Sequence, residues 1–409
     1  MRKLDELIAE LCPNGVEYKR LGDIATISRG GSLQKKDFCT EGTPCIHYGQ
    51  IYTRYGLFAD KTFTYISEEC AKKQRIAHRN DIIMAVTSEN IEDVCKCVAW
   101  LGNEAVAVSG HTAIIHHNQN AKYLAYYFHT EMFAVQKRKL VHGTKVIEVT
   151  PDTLNAITLP VPPLPVQVEI VRILDNFTEL NEQLSAELTA RKKQYEFYRD
   201  KLLSFGSLED GTSGAVKRTL RSIVKNSCSG GTPKKGNRNY YEGGTIPWIR
   251  TQDVQFNEIR EVNTFITEAA VKETSAKWIP ENCVIVAISG ASAGRCAINK
   301  IRATTNQHCL NMEIDPSQAL YRYVYYCVCS KYQEFLTKKQ GARGDLNSSL
   351  ILDTEIPVPS LPVQQYIVNI LDNFDAICSD LNIGLPAEIE ARQKQYEYYR
   401  DKLLSFQPV

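Results

Sequence analysis

The sequence has almost no net charge and no long apolar run. Its 409 residues carry 48 Lys and Arg against 47 Asp and Glu, which gives a net charge of +1. No run of about 18 apolar residues is present, so a membrane-spanning helix is not expected. The acids Asp5 and Glu6 come too early for a signal peptide. We therefore expect a cytoplasmic protein, whose balanced charge does not by itself indicate a nucleic-acid partner.

The thirteen cysteines are odd in number and scattered, and no Cys-x-x-Cys is present. The tightest spacings are Cys95-x-Cys97 and Cys327-x-Cys329, which do not match a zinc-ligand pattern, and the adjacent pair His116-His117 does not complete one. Reduced thiols that serve as small core residues are the simplest interpretation. We expect neither a metal site nor a cofactor in this chain.

The common catalytic motifs are also missing. Pro162-Pro163 is followed by Leu164, so the [Asp/Asn]-Pro-Pro-[Tyr/Phe] motif of DNA methyltransferases is absent. Gly231-x-x-x-x-Gly236 is followed by Asn237 where a phosphate-binding loop requires Lys. Pro151-Asp152 has no following acid-x-Lys, the pattern of a nuclease. These absences predict a chain without catalytic activity.

What the sequence does contain is an internal repeat. Residues 164–177 return at 361–374 with eleven of fourteen positions identical, and residues 190–205 return at 391–406 with fourteen of sixteen identical. The front parts are offset by 197 residues and the back parts by 201, so the second copy carries four extra residues between them. The repeat predicts two halves of about 200 residues each.

Apolar residues follow a 3.5-residue period through both copies, which is typical of a helix packed along a partner helix. The first copy predicts one continuous helix of roughly 60 Å. In the second copy the period shifts at Gly384 and Pro386, which predicts a kink or break there. The alternative is an amphipathic helix on a globular core, although few such helices are this long. The predicted partner-helix seam consists of Ile170, Leu174, Phe177, Leu184, Leu188, Tyr195, Tyr198, Leu202, Ile367, Leu371, Phe374, Leu381, Tyr396, Tyr399 and Leu403.

Each repeat follows a region of short β-rich runs separated by Gly and Asn turns. In the first region we predict a strand over Cys45–Tyr52 and a helix over Ala121–Leu140; in the second, a helix over Leu320–Gln340. The two regions share a plan but little identity, and His111 aligns with His308. Nearly identical helices attached to divergent globular regions indicate one scaffold that carries two different recognition surfaces.

Together these features resemble the specificity subunits of type I restriction-modification systems. The resemblance covers the whole chain and rests on the repeated helices, on Leu-Pro-x-Gln at Leu164 and Leu361, and on Tyr-Arg-Asp-Lys-Leu-Leu at Tyr198 and Tyr399. It also rests on Gly230-Gly231-Thr232-Pro233 followed by Tyr-x-Gly-Gly-x-Ile-Pro-Trp at 241–248. The first region departs from this sequence pattern, because residues 28–32 lack Thr-Pro and residues 45–46 are Cys-Ile where Trp is usual.

The resemblance implies an α+β fold in which two α/β target-recognition domains of similar fold are joined by two long antiparallel coiled-coil helices with a pseudo-two-fold repeat. The implied segments are an N-terminal helical segment (1–17), target-recognition domain 1 (18–163), long helix 1 (164–205), a linker (206–215), target-recognition domain 2 (216–360) and long helix 2 (361–409, kinked near 384–386).

It also implies a function and a set of partners. Each domain would recognise one half of a bipartite target in double-stranded DNA, and the helices would set the spacer. The implied protein partners are two DNA-methyltransferase subunits, which hold S-adenosylmethionine, and the restriction/translocase subunits. A coiled-coil scaffold that binds only proteins is the alternative. The run 215–241, with seven basic residues and no acid, argues against it.

Candidate DNA contacts follow from the chemistry of recognition. Lys and Arg bind phosphates, Arg reads guanine, and Gln reads adenine. A basic loop, the polar residues after predicted strands and the tight turn at 289–295 carry such side chains. Each also has a plain structural interpretation as a solvated loop, strand-end surface or ordinary turn. The candidates are Arg29, Gln34, Lys35, His47, Tyr48, Gln50, Ser88, Lys145, Lys234, Lys235, Arg238, Arg250, Thr251, Gln252, Asp253, Ser292, Arg295 and Arg343.

Overall fold

The structure, a computed structural model, describes residues 2–205, 215–339, 344–379 and 384–409. The chain divides into unit 1, Met1–Ser185 with Glu388–Val409, and unit 2, Ala186–Ala387. Within the described ranges, no helix is both long and apolar enough to cross a membrane. Nearly all of the predicted linker, together with Leu381 and Arg343, lies outside the described residues.

Unit 1 contains the elements from the N-terminal helix to the first half of the first long helix, together with most of the last helix of the chain. Its helices are α1 (Arg2–Leu11), α2 (Leu21–Ile24), α3 (Tyr48–Thr53), α4 (Glu68–Ala71), α5 (Ala121–Tyr127), α6 (Glu131–Arg138), α7 (Pro151–Leu154) and the first part of α8 (Leu164–Ser204). Its strands are β1 (Tyr18–Arg20), β2 (Ala25–Arg29), β3 (Phe38–Cys39), β4 (Thr43–Ile46), β5 (Phe58–Ala59), β6 (Thr64–Ile66), β7 (Arg75–Ala77), β8 (Ile82–Ala85), β9 (Thr87–Ser88), β10 (Cys97–Trp100), β11 (Val106–Val108), β12 (Thr112–His117), β13 (Ile147–Glu148) and β14 (Thr158–Pro160).

Unit 2 repeats this succession. Its helices are α9 (Leu220–Ile223), α10 (Glu268–Glu273), α11 (Tyr321–Ser330), α12 (Tyr332–Thr337), α13 (Ser348–Leu352) and α14 (Leu361–Ser379), and α15 (Leu385–Leu403) lies mostly in unit 1. Its strands are β15 (Val216–Thr219), β16 (Val224–Ser229), β17 (Ile246–Ile249), β18 (Asn257–Ile259), β19 (Phe265–Ile266), β20 (Trp278–Ile279), β21 (Val284–Ala287), β22 (Cys296–Asn299), β23 (Ala303–Thr305), β24 (Cys309–Ile314) and β25 (Glu355–Val358).

The two units have corresponding sheets. One sheet runs β2-β12-β8-β10-β5 in unit 1 and β16-β24-β21-β22-β18 in unit 2. The other runs β3-β6-β4-β11-β7 and β19-β17-β23-β20, with one more strand in unit 1. Asn80 and Asn282 occupy the same turn in the two units, with φ of 77° and 66°, a backbone region that Asn tolerates better than most residues. The internal repeat predicted from the sequence therefore extends to the strand order.

Each unit buries a core that includes parts of two long helices. In unit 1, Ile170, Leu174 and Phe177 of α8 pack in the same apolar cluster as Tyr396 and Leu403 of α15. In unit 2, the same is true of other seam residues from α8 and α14, namely Tyr195, Leu202, Ile367 and Leu371. These shared clusters explain why the division between the units falls within α8 instead of at its ends.

The long helices run antiparallel where they meet. In unit 1, Phe177 stacks on Tyr399 with ring centroids 5.5 Å apart, and Asn181 Nδ2 donates to Gln393 Oε1 at 3.4 Å. In unit 2, Tyr198 stacks on Phe374 at 5.8 Å. Since residue numbers rise along α8 as they fall along its partner, the pairing is antiparallel, as the predicted fold class requires. Leu184 is buried and Leu188 half-buried.

Several predicted element boundaries are wrong. The predicted strand Cys45–Tyr52 ends at Ile46, and α3 begins at Tyr48 because His47 caps it. His47 Nδ1 accepts a hydrogen bond from the Gly49 N–H, and Gln50 Oε1 accepts one from the His47 N–H. The predicted helix Ala121–Leu140 is two helices, α5 and α6, separated at Thr130, whose hydroxyl caps α6. The predicted helix 320–340 likewise appears as α11 and α12 in the described residues.

Candidate nucleic-acid interface

Polar residues collect at one edge of unit 1, which we call polar edge 1 (residues 29–32, 47–48, 86–88 and 109–111). It forms because β4 and β11 are parallel, so the residues that follow them, Tyr48 and His111, emerge side by side. Their rings lie 4.9 Å apart, and the Tyr48 N–H donates to Ser109 Oγ at 2.8 Å. Arg29 ends β2 at the same edge, where its Nε donates to the Gly110 carbonyl at 2.9 Å. This edge therefore presents two aromatic rings and an exposed guanidinium, whose Nη2 also pairs with Glu148 at 3.0 Å.

Polar edge 2 (residues 229–232, 250–253, 288–289 and 306–308) is built the same way in unit 2. The strands β17 and β23 are parallel and end at Ile249 and Thr305. Arg250 follows the first, and the Asn306 N–H after the second donates to the Ile249 carbonyl at 3.0 Å. The Thr232 hydroxyl bonds Gln307, and Gln307 lies against His308.

The double glycine that opens both edges is required by close backbone packing. A Cβ on Gly230 would lie 1.9 Å from the Thr305 carbonyl oxygen, and one on Gly30 would lie 2.0 Å from that of Ser109. Either approach is far inside van der Waals contact, so any larger residue would push the strands apart. The Gly231 carbonyl also accepts from Trp248 Nε1 at 3.1 Å. The bond to Trp248 explains why Gly-Gly occurs together with Trp in the second unit. The close backbone packing explains why the first unit has Gly-Gly although it lacks that Trp.

Arg250 is the most distinctive side chain of polar edge 2. Its guanidinium lies over the Trp248 ring, 6.0 Å from the centroid, a cation–π arrangement. Its Nε is buried and has no hydrogen-bond partner within the described part of the chain. The Asp253 carboxylate accepts from the Arg250 backbone N–H at 2.8 Å, so this acid is used in shaping the turn. A half-buried guanidinium held on an aromatic face is suited to reading a base edge.

The side chains of two residues that were predicted to contact DNA in unit 1 point into the protein. His47 and Gln50 are buried, 7% and 8% exposed, and their polar atoms cap α3. Gln50 Nε2 also donates to the Thr64 hydroxyl at 3.2 Å. Burial lowers the pKa of His47, with Lys35 and His111 acting in the same direction, so the ring is neutral at pH 7. These two side chains shape polar edge 1, whereas Tyr48 and Arg29 are the residues presented there.

The structure places the remaining predicted DNA contacts as follows. Ser88 is half-buried on β9 at polar edge 1, and Gln34, Lys35 and Lys145 are exposed in unit 1. In unit 2, the half-buried residues are Thr251, Ser292 and Arg295, and the exposed ones are Gln252, Lys234, Lys235 and Arg238. Arg238 Nε lies 3.5 Å from the Glu242 carboxylate. Ser292 and Arg295 are joined through their backbones in the turn after β21.

The repeated helices also carry structural residues whose roles the sequence did not reveal. Gln167 and Gln364 are completely buried, and each donates to a carbonyl of the Pro-rich segment before its helix, at 2.8 Å. Each also accepts from the backbone N–H just ahead of an earlier helix, that of Asn120 before α5 at 3.0 Å and that of Leu320 before α11 at 2.9 Å. These bonds explain the Leu-Pro-x-Gln motif: its glutamine fixes the globular part of each unit to its long helix.

An aspartate–tyrosine pair makes a further tie of the same kind. The Tyr126 hydroxyl donates to Asp175 Oδ1 at 2.8 Å in unit 1, and that of Tyr326 donates to Asp372 Oδ1 at 2.5 Å in unit 2. A cation completes each cluster, Lys122 in unit 1 and Arg322 in unit 2. The signal that could have identified this tie is the polar Asp-Asn within an otherwise apolar stretch of both repeats.

One pair of repeated aromatic side chains faces solvent. Phe197 is 62% exposed and Tyr398, at the same place in the second copy, is 60% exposed. Each lies against the next tyrosine of its helix and below a lysine, Lys201 at 6.0 Å and Lys402 at 5.7 Å from the ring centroid. We call these positions the exposed aromatic pair. Each repeated helix thus exposes one large ring at the same position.

The chain is similar to known proteins over most of its length. The family described as "Type I restriction modification DNA specificity domain" matches residues 13–190 and again 213–391. A type I restriction enzyme specificity subunit from Escherichia coli is 40% identical over 251 residues, which are 59% of this chain and 60% of that relative. A putative one from Haemophilus influenzae is 29% identical over 322 residues, 75% of this chain and 76% of that relative. The S subunit of M. genitalium has the same fold, with a TM-score of 0.54 at 16% identity over 96% of this chain and 97% of that one.

Proposed function

The chain belongs to the family of type I restriction-modification specificity subunits, and from this premise we propose that each of its units recognises one half of a divided DNA target. One observation carries the proposal. The two units share strand order, glycine packing and helix ties, whereas the side chains at their polar edges differ: Arg29 and Tyr48 in one, Thr232 and Arg250 in the other. A constant frame with two different polar edges is suited to two different half-sites. Like its family, the chain is a specificity subunit and not an enzyme.

We propose that the long helices set the number of base pairs between the half-sites. Support comes from α8, which belongs to unit 1 up to Ser185 and to unit 2 from Ala186. It is tied to the sheet-bearing part of unit 1 through Gln167 and Asp175, and its other end packs in the core of unit 2. A continuous helix with an anchored segment in each unit would keep a fixed length of backbone between two DNA-reading edges.

The exposed aromatic pair supports a further part of the proposal, the docking of two DNA-methyltransferase subunits. Phe197 belongs to unit 2 and Tyr398 to unit 1, so each unit presents one copy of the same exposed surface. The same partner could therefore bind once per unit. S-adenosylmethionine would be held by that partner, and the restriction subunits would join the assembly. Since DNA is the proposed target, we expect the protein to act in the cytoplasm.

Replacing Phe197 or Tyr398 by Ala should remove one of the two methyltransferase subunits. Truncating a central aromatic at an interface costs about 2 kcal/mol or more, roughly a thirty-fold weakening. Native mass spectrometry of the reconstituted complex measures the number of bound subunits. At partner concentrations about three times the wild-type Kd, where roughly three quarters of wild-type sites and about a tenth of mutant sites are filled, we expect mainly one subunit after either substitution and mainly none after both.

Tyr366→Ala provides the matched control. Tyr366 is 66% exposed on α14, but the first copy has Glu169 at its position, so it belongs to no repeated surface. This variant should still bind two methyltransferase subunits. If it weakens binding as much as Phe197→Ala, or if the double variant still binds two, the docking proposal is wrong.

Replacing Arg250 by Ala should weaken DNA binding by about 1–3 kcal/mol, and only on DNA with the correct second half-site. The physical reason is that a guanidinium that reads a base makes its contacts only with that base. Competition binding with the methyltransferase complex, using DNA altered in one half-site at a time, measures the effect. A loss of equal size on all sequences would instead assign Arg250 to a phosphate contact.

Arg302→Ala is the control for Arg250. Arg302 lies over the Trp278 ring at 4.5 Å, so it has the same pairing with a tryptophan. It precedes β23, however, whereas Arg250 follows the parallel strand β17, which places them at opposite ends of the sheet. We expect its removal to leave discrimination between half-sites unchanged.

A further inference from the structure

Two buried cysteines of unit 2 face each other across its core. Cys296 begins β22 and Cys329 lies near the end of α11, and their sulfur atoms are 3.0 Å apart. Cys296 is 0% exposed and Cys329 8%. A disulfide bond is about 2.0 Å long, so the two sulfurs would need to approach by only about 1 Å.

From this geometry we propose that Cys296 and Cys329 are an oxidisable pair that forms an intramolecular disulfide with a small-molecule disulfide, such as oxidised glutathione, as the oxidant. The proposal is independent of DNA recognition. It replaces the sequence-based interpretation of these two thiols as inert core residues with a specific site of modification.

A cation lies near this cysteine pair. The Arg199 guanidinium of α8 lies close to both thiols within unit 2 and lowers the pKa of Cys296, although burial raises that pKa more strongly. Arg199 is itself mostly buried and paired with Asp200 at 2.8 Å. A cation beside a cysteine pair stabilises the thiolate, the form that reacts. Since Cys296 is held as the thiol by its burial, the reaction begins at Cys329, the more accessible sulfur.

The reaction is an ordinary thiol–disulfide exchange in two steps. The Cys329 thiolate attacks one sulfur of the small disulfide, which breaks that bond and releases one small thiolate. Cys296 then gives up its proton and attacks Cys329 Sγ, which forms the protein disulfide and releases the second small thiolate. The two protons lost by the cysteines go to the two released thiolates. The protein is oxidised by two electrons, and the small disulfide is reduced to two thiols.

Unit 1 provides a natural control for this pair. Cys97 begins β10 and pairs with Met84 of β8, as Cys296 begins β22 and pairs with Val286 of β21. Tyr126 and Tyr326 make the same bond to an aspartate, and three residues later unit 1 has His129 where unit 2 has Cys329. The same place in unit 1 thus holds one cysteine and one histidine, which cannot form a disulfide with each other.

The experiment treats the folded full-length chain with excess oxidised glutathione and digests it with trypsin without reduction. We expect a cross-linked pair of peptides, 296–300 joined to 323–331, with a mass two hydrogen atoms below the sum of the two free peptides. Dithiothreitol should restore both free peptides. The peptide that contains Cys97 should stay unmodified throughout.

Because 323–331 contains both Cys327 and Cys329, two variants locate the bond. Cys327→Ser should retain the cross-link, whereas Cys329→Ser should abolish it. Cys329→His, which copies the pair of unit 1, should also abolish it while the variant still folds. The proposal is overturned if no cross-link forms under conditions that oxidise the unfolded chain, if the bond runs through Cys327, or if Cys97 is oxidised to the same extent.

Discussion

Inserting four helix-forming residues between Ala186 and Glu187 will lengthen the preferred spacer between the half-sites by one to two base pairs. Four residues add about 6 Å to an α-helix, and base pairs rise about 3.4 Å along DNA. Both flanking residues are exposed, so the insertion disturbs no buried contact of their side chains. The second repeat already carries four more residues than the first between its matching ends. The insertion would therefore give the two repeats the same number of residues.

The readout is selection of bound or methylated DNA from a library in which two fixed half-sites are separated by a random number of base pairs. The half-sites themselves should be unchanged, because neither polar edge is altered. As a control, four conservative substitutions at the exposed positions 186, 187, 189 and 190 should leave the spacer as it is. An unchanged spacer after the insertion would rule out the helices as its determinant.

Acidification from pH 7 to pH 5 will destabilise unit 1 by about 4 kcal/mol, roughly 2 kcal/mol from each of two histidines. Burial lowers the pKa of His117 to about 4, and it lowers the pKa of His129 to about 4 as well. In the unfolded chain both pKa values are about 6.5. Below pH 6.5 the unfolded chain therefore binds protons that the folded chain does not. The free energy of unfolding consequently decreases as the pH is lowered.

Hydrogen exchange measured at pH 7 and pH 5, corrected for the intrinsic exchange rate, reports this loss unit by unit. Unit 2 should change less, because it contains one of the eight histidines, His308, and has Cys329 at the place of His129. His129→Gln should remove about half of the effect in unit 1. Equal loss of protection in both units, or no effect of His129→Gln, would contradict this assignment.

The long helices and the duplicated plan could be predicted from the sequence because both depend on local or periodic signals. The seam from Ile170 to Tyr399 follows from a 3.5-residue period, and the repeat is visible as identity. The division within α8 could not be predicted, because it depends on which distant segments share a core. Tyr396 and Leu403, near the end of the chain, pack with Ile170 in unit 1.

The candidate interface shows the same contrast. The sequence indicated that Arg250 follows a buried strand, but it could not show that this strand lies parallel to β23 and ends beside it. The direction of each side chain there depends on local capping. His47 and Gln50 look like base-reading residues in the sequence, yet their polar atoms complete a capping box. The roles of the buried Gln167 and Gln364 were missed for the opposite reason, since the backbone N–H groups that they bind lie more than forty residues away.

The most direct measurement exchanges residues 18–163 for the corresponding segment of a relative with a different target and then maps methylated sites in a host that carries the complex. The helices, residues 164–205 and 361–409, stay those of this chain. We expect the half of the target read by unit 1 to change to that of the donor, with the other half and the spacer unchanged. If both halves change together, or if neither does, two separate DNA-reading units on a common frame are not how this protein selects its target.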